Sequence, residues 1–178
     1  MTVSIRRAVP GDEAALAAVA AVTFPLACPP HTTEAAKEAF IASVLSEERF
    51  AGYLADDSRR LLVAEDAAGT AIGYTMVNLG EPEDEDVRGA IRIRPSAELS
   101  KCYVLPGHQG AGVAGRLMAE SLRIAGEAGA HGMWLGVNEE NARAQRFYGK
   151  HGFERVGAKR FLVGDRYEDD WVMERPLG

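Results

Sequence analysis

The sequence predicts an α/β (α+β) chain, a mixed sheet with helices on both faces. Strand-like and helix-like segments alternate through the middle, while strands adjoin one another in sequence near both ends. The first pattern builds parallel neighbours and the second antiparallel hairpins. The third observation is one continuous unit over residues 98–118, where a strand, a glycine-rich turn and a helix follow directly.

Taken in order, Val3-Ser-Ile-Arg-Arg alternates as a first strand. Pro10-Gly-Asp-Glu opens a helix with proline and acids where a helix N-terminus wants them, and Leu16, Val19 and Val22 are expected to point inward. Pro25, Pro29 and Pro30 mark residues 23–31 as a long loop. A second helix begins at Thr33 and runs to about Glu48, with Phe40, Val44 and Leu45 on its core face; a helical turn follows near Phe50. Strands over 60–65 and 71–78 form an antiparallel pair across a turn at Asp66-Ala-Ala-Gly-Thr. Residues 80–95 carry Glu81, Glu83, Asp84, Glu85 and Asp86, then Arg88, Arg92 and Arg94. They read as a solvated loop, or alternatively as an acidic rim for a cationic substrate.

In the central unit, alternation sets Leu99, Tyr103 and Leu105 on one face and Glu98, Ser100, Cys102 and Val104 on the other. Pro106-Gly107 ends the strand, because proline brings no N–H to a ladder. Val113, Ala114, Leu117, Met118 and Leu122 recur at helical spacing. A strand over 131–138 and a short helix over 139–150 come next, with Ala144, Phe147 and Tyr148 on one helix face. Gly149 and Gly152 close that helix, and two strands, one from Phe153 and one over 167–173, end the chain.

At 178 residues, 47% hydrophobic and 26% charged, the chain is expected to form one domain over 1–178. A net charge of −6 argues against nucleic acid and acidic membranes as partners and suits a cationic substrate. Cys28 and Cys102 make no disulfide framework, which points to a reducing, cytoplasmic setting. The four histidines lack metal spacing, so no metal is expected. No apolar run reaches membrane length, and Asp12-Glu13 interrupts any reading of residues 14–22 as a signal peptide.

Gly110, Gly112 and Gly115 sit where the central helix begins, although glycine is a poor helix former. Exposed N–H groups and the positive end of the helix dipole there suit phosphate, provided its oxygens can approach the backbone closely. A Walker loop would need Gly-Lys-Ser/Thr, which is missing. Gly110-x-Gly112-x-x-Gly115 matches a dinucleotide fingerprint literally, but the next strand ends in Val137-Asn138 rather than an acid. Gln109-x-x-Gly112-x-Ala114 after Val104-Leu-Pro resembles the pyrophosphate loop of the GNAT N-acetyltransferases, with Ala114 for the commoner glycine. Asn141-x-x-Ala144-x-x-Phe147-Tyr148-x-Lys150-x-Gly152-Phe153 resembles the second signature of that family. The tail, Phe161-x-x-Gly164-Asp165 and then Asp170-x-x-Met173-x-x-x-Leu177, is similar to bacterial spermidine/spermine-type acetyltransferases. Asn138 and Ser100 depart from that narrower pattern.

The resemblance implies the GNAT fold, a mostly antiparallel sheet of six to seven strands whose central strands splay around the pantetheine arm of acetyl-CoA. It assigns the backbones of Cys102, Tyr103 and Val104 to the pantetheine and acetyl group. The amides of Gln109, Gly110, Ala111, Gly112, Val113, Ala114 and Gly115 fall to the pyrophosphate, and Asn138, Asn141, Tyr148 and Lys150 to other coenzyme contacts. Acyl transfer needs a neutral amine, and freeing a lysine-like amine of pKa ~10.4 near pH 7.4 costs about 4 kcal/mol. Glu98 is the candidate base, the Val104 amide the oxyanion donor and Tyr148 the acid for the leaving sulfur. Cys102 has no histidine partner in the sequence to make it a nucleophile, so direct transfer is expected. The acceptor implied is a primary amine, with a polyamine or other small cationic amine first. An aminoglycoside, an amino acid, a protein N-terminus, or a non-catalytic acyl-CoA sensor are the alternatives. Dimers are common in the family, so a homodimer is a further expectation.

Overall fold

The computed structural model describes residues 2–108 and 112–178. Along the chain these form β1 (Ser4–Arg7), α1 (Glu13–Ala27), α2 (Glu34–Val44), α3 (Glu47–Ala55), β2 (Arg59–Glu65), β3 (Ala71–Leu79) and α4 (Glu85–Ala90). There follow β4 (Ser96–Val104), α5 (Val113–Glu127), β5 (Gly132–Asn138), α6 (Ala142–Lys150), β6 (Glu154–Val163) and β7 (Arg166–Pro176). The strands make one seven-stranded sheet in the order β1-β2-β3-β4-β5-β7-β6. Only β4 and β5 run parallel; the other neighbours are antiparallel. Alternating apolar positions send Leu62, Val77, Leu99, Met133 and Met173 to the face covered by α5 and α6. Leu61, Val63, Tyr74 and Met76 go to the face covered by α1, α2 and α3. The mixed sheet with helices on both faces is as the sequence predicts.

Four local expectations are corrected. First, α1 continues through Pro25 to Ala27. Proline there removes one N–H from the last turn only, while Phe24 is buried and stacks on Phe40 with ring centroids 4.4 Å apart. The inward face is Leu16, Val19, Ala20, Thr23 and Phe24, a 3,4-spaced set that leaves Val22 48% exposed. Second, the segment after Thr33 is two helices. Thr33 Oγ1 accepts from the Ala36 amide and Ser46 Oγ from the Arg49 amide, so each helix has its own cap.

Third, residues 80–95 are ordered around α4. Asp84 caps it by accepting from the Asp86 and Val87 amides, and Glu85 and Asp86 fill its first turn. The acid run is therefore a helix start, not a rim. Val87 and Ile91 are buried against Trp134 and Val172. The buried Glu174 carboxylate accepts from the Arg92 and Ile93 amides at 2.9–3.1 Å, fastening this segment to β7. Glu174→Ala is expected to destabilise by about 2–3 kcal/mol, because it leaves those amides without a charged acceptor. A urea melt with unchanged slope checks this.

Fourth, β4 does not alternate strictly. Val77 pairs with Leu99 and Met76 with Lys101, so Ser100 is an extra residue on β4. This bulge reverses the parity beyond it. Leu99, Cys102 and Val104 consequently share the α5 face, while Tyr103 packs on the α1 side.

Candidate active site

β4 and β5 pair only at Ser96↔Gly132, Ala97↔Met133 and Glu98↔Trp134. Beyond Glu98 the strands separate, β4 continuing to Val104 and β5 to Asn138. A cleft of about 1060 Å³ occupies the separation. One end is formed on the α5 and α6 side by Gly112, Ala114, Gly115, Asn141 and Tyr148. The other is formed on the α1 and α2 side by Phe24, Cys28, Phe40, Phe161 and Asp170. The opening thus runs through the sheet, with β4 as one wall.

Three features of this wall and its ends matter chemically. The Leu105 amide donates to the Ile72 carbonyl at 2.8 Å. Amides alternate sides along a strand, so the Val104 amide points the other way, into the gap that β5 has left. Next, α5 begins at the cleft: Gly112 takes the left-handed conformation, φ +78°, that lets the chain turn into the helix. Its first-turn amides therefore face the opening with the positive end of the dipole. Finally, α6 is set by Asn141, whose side chain accepts from the Ala144 amide at 3.1 Å. That cap holds Tyr148 over the gap, with its ring edge-on to Phe153.

A strand pair that parts after three rungs beside an amide-rich helix start is a slot for an extended arm ending in phosphate. The sequence comparisons agree with the geometry. Residues 24–153 match the Acetyltransferase (GNAT) family. The chain belongs to the GNAT family.

It is thus an acetyl-CoA-dependent N-acetyltransferase. An uncharacterized N-acetyltransferase of Mycobacterium tuberculosis is 46% identical over 166 residues, covering 93% of this chain and 98% of that protein. The solved PaiA N-acetyltransferase of Thermoplasma acidophilum, in complex with coenzyme A, superposes with a TM-score of 0.79 at 22% identity, covering 99% of each chain. The spermidine/spermine N-acetyltransferase SpeG of Vibrio cholerae, solved in two mutant forms, gives 0.65 at 23% identity, covering 99% of this chain and 95% of that one. These two likenesses concern the fold.

Within this GNAT enzyme most residues singled out from sequence converge. Glu98, Cys102, Tyr103, Val104, Gly112, Ala114, Gly115, Asn138, Asn141 and Tyr148 all line the cleft. Val113 is buried beneath the start of α5. Gln109, Gly110 and Ala111 lie outside the described residues. Lys150 is exposed in the last turn of α6 and is not part of the lining. The Asn138 side chain is partly spent on its own turn, since Oδ1 accepts from the Glu140 amide at 2.9 Å.

The electrostatics separate the two sides of β4. Burial pushes the Cys102 thiol up to about 12 and the Tyr148 phenol well above its ordinary value. Glu98 accepts from Asn78 Nδ2 at 3.0 Å, and Asn78 in turn accepts from Arg59. Lys101, missed from sequence, lines the same wall; burial lowers it to about 8 against the opposing pull of Glu98. Phe24, Phe40 and Phe161 form a ring cluster at the far end, with Phe161 edge-on to Phe40 at 5.6 Å. Glu168 and Asp170, both buried acids on β7, complete that end.

His31 ties the mouth together. Its Nε2 lies 2.6 Å from Glu168 and its Nδ1 3.5 Å from Glu140. One ring thus links a carboxylate of β7 to one in the turn before α6.

Among the described residues no helix is long and apolar enough to cross a membrane.

Proposed function

We propose that this enzyme transfers the acetyl group directly from acetyl-CoA to a primary amine entering from the α1–α2 side. The single observation that carries the reading is the through-sheet cleft, with helix amides at one end and buried carboxylates at the other. The pyrophosphate is held by the backbone amides at the start of α5, from Gly112 to Gly115, together with those of Gln109, Gly110 and Ala111 read from the sequence, and the pantetheine arm lies along residues 102–104. The Val104 amide receives the developing oxyanion. Tyr148, kept protonated by burial, gives its proton to the departing sulfur. Cys102 has no part as an acyl carrier, since a thiol held near 12 supplies almost no thiolate. The acceptor's own proton goes to a carboxylate of the cleft wall, for which Glu98 is the candidate read from sequence.

For the acceptor, a small cationic amine such as a polyamine is supported by the buried acids and by the net charge of −6. The three-phenylalanine wall favours a second reading, an amine with an apolar body. The protein's setting is proposed to be cytoplasmic, in keeping with its two free cysteines.

A thiol-release assay with acetyl-CoA against spermidine, spermine, benzylamine, an aminoglycoside and short peptides tests the proposal. Turnover on one or more primary amines is expected. Turnover on spermidine and spermine alone would support the polyamine reading, and a preference for benzylamine the apolar one. Tight acetyl-CoA binding with no transfer to any amine would overturn the reading in favour of a sensor.

A further inference from the structure

Asp170 enters the sequence reading only as part of the tail motif, with no role assigned, yet it is an unusual polar group of the cleft. It is 7% exposed and lines the opening, and its Oδ1 has no hydrogen-bond partner among the described residues. A buried carboxylate oxygen left unbonded carries a desolvation penalty that folding alone gives no reason to keep. Glu98, by contrast, is hydrogen-bonded to Asn78 and sits beside Lys101. Glu168, the other buried acid here, is engaged by His31.

The surroundings of Asp170 make a pocket of defined chemistry. In register it lies opposite Asn138 of β5 on one side and Lys159 of β6 on the other. Gly136 of β5 lines the same opening, and a Cβ there would come 3.3 Å from Asp170 Oδ2 and 2.7 Å from Lys159 Cε. The glycine therefore leaves room beside the carboxylate that no β-carbon fills, into which the end of Lys159 reaches. Lys159 is drawn over the Phe161 ring, 5.2 Å from its centroid, and Phe161 continues into the aromatic wall.

We infer that Asp170 is the ammonium subsite and proton acceptor for the amine substrate, with the phenylalanine wall receiving the amine's apolar body. This rests on the reading of the cleft as an amine acetyltransferase site. The Asp170 carboxylate takes one proton from the ammonium, and the freed nitrogen lone pair forms the N–C bond to the thioester carbonyl. The C–S bond breaks as the carbonyl reforms, and sulfur takes the proton of Tyr148. The nitrogen sheds its second proton, which restores Tyr148, and Asp170 releases the first to solvent. Burial raises Asp170 to about 6, opposed by Lys159 and reinforced by Glu168 and Asp169. Tyr103 faces it from β4, and His31 reaches only as far as Glu168.

The test compares wild type, Asp170→Asn and Glu98→Gln by two measurements. In the first, benzylamine is titrated calorimetrically onto the coenzyme A-loaded protein. Wild type and Glu98→Gln are expected to bind it, and Asp170→Asn at least ~10-fold more weakly, with coenzyme A affinity unchanged. In the second, kcat/KM against pH for an amine that turns over is expected to fall on the order of 10²-fold in Asp170→Asn, with loss of the acid limb near 6. Glu98→Gln is expected to keep that limb. Equal benzylamine binding in wild type and Asp170→Asn, or an acid limb that survives the substitution, would overturn the assignment. Asp170-dependent benzylamine binding in a protein that acetylates no amine would uphold the subsite and overturn the transfer reading instead.

Discussion

Tyr148→Phe is expected to lower kcat on the order of 10³-fold while leaving acetyl-CoA affinity within about threefold. The phenol is half-buried at the gap, where desolvation holds it well above its ordinary value. Phenylalanine keeps the ring and its edge-on contacts with Phe147 and Phe153, so the packing of α6 survives. Only the hydroxyl goes, and with it the proton that the proposed mechanism gives to sulfur. A loss confined to kcat identifies an interaction made in the transition state, whereas a rise in KM alone would mark Tyr148 as a packing residue. Steady-state kinetics beside calorimetry of acetyl-CoA separates the two.

The second large effect concerns stability and has the opposite sign from activity. Asp170 is raised from 3.8 to about 6 by burial. A carboxylate raised in the folded state holds its proton there more tightly than in the unfolded chain. Stability is therefore lost as pH climbs from about 4 to about 6, and the full penalty, about 2–3 kcal/mol, stands at neutral pH. Asparagine carries no charge to desolvate. Asp170→Asn is expected to gain about 1–2 kcal/mol at pH 7.5, or about 2–6 °C in Tm, in the ligand-free protein. The gain should vanish near pH 4. A variant that melts below wild type at pH 7.5, or a gain independent of pH, would show that Asp170 is held by contacts rather than strained by burial. A residue that weakens the fold while lining the cleft fits a functional site.

Most of the architecture was legible because period-2 and period-3.6 patterns are local. Glu98 through Val104 read correctly as a strand, and Val113 through Leu122 as the helix after it. The pattern failed where one residue shifted the phase. Ser100, paired with nothing on β3, reversed the faces of Cys102 and Val104, and no composition signal marks such a bulge. Pro25 failed for a different reason: at the last turn a missing amide costs little when Phe24 and Phe40 stack behind it. Residues 80–95 looked like a charged loop because Asp84 to Asp86 are acidic, yet acids are what a short helix needs at its start. Asp170 did leave a trace. Glu168, Asp170, Val172 and Glu174 fall on one face of a strand at spacing two, three acids on a face that carries a core valine; Glu174 is spent on the Arg92 and Ile93 amides and Glu168 on His31, which sets Asp170 apart.

The three rungs between β4 and β5 have a dynamic consequence. Among the described residues they are the only β-ladder pairs between one half-sheet, β1 to β4, and the other, β5 with β7 and β6. Along so short a seam the two half-sheets are joined mainly by side-chain packing, Leu62, Val77, Leu99 and Val104 sharing one core with Met133, Leu135, Phe153 and Met173. In the binding mode proposed above, the arm of acetyl-CoA laid along β4 past Glu98 would act as the clasp across that seam. Amide exchange beyond Trp134 on β5 should slow when the cosubstrate binds, although no helix moves.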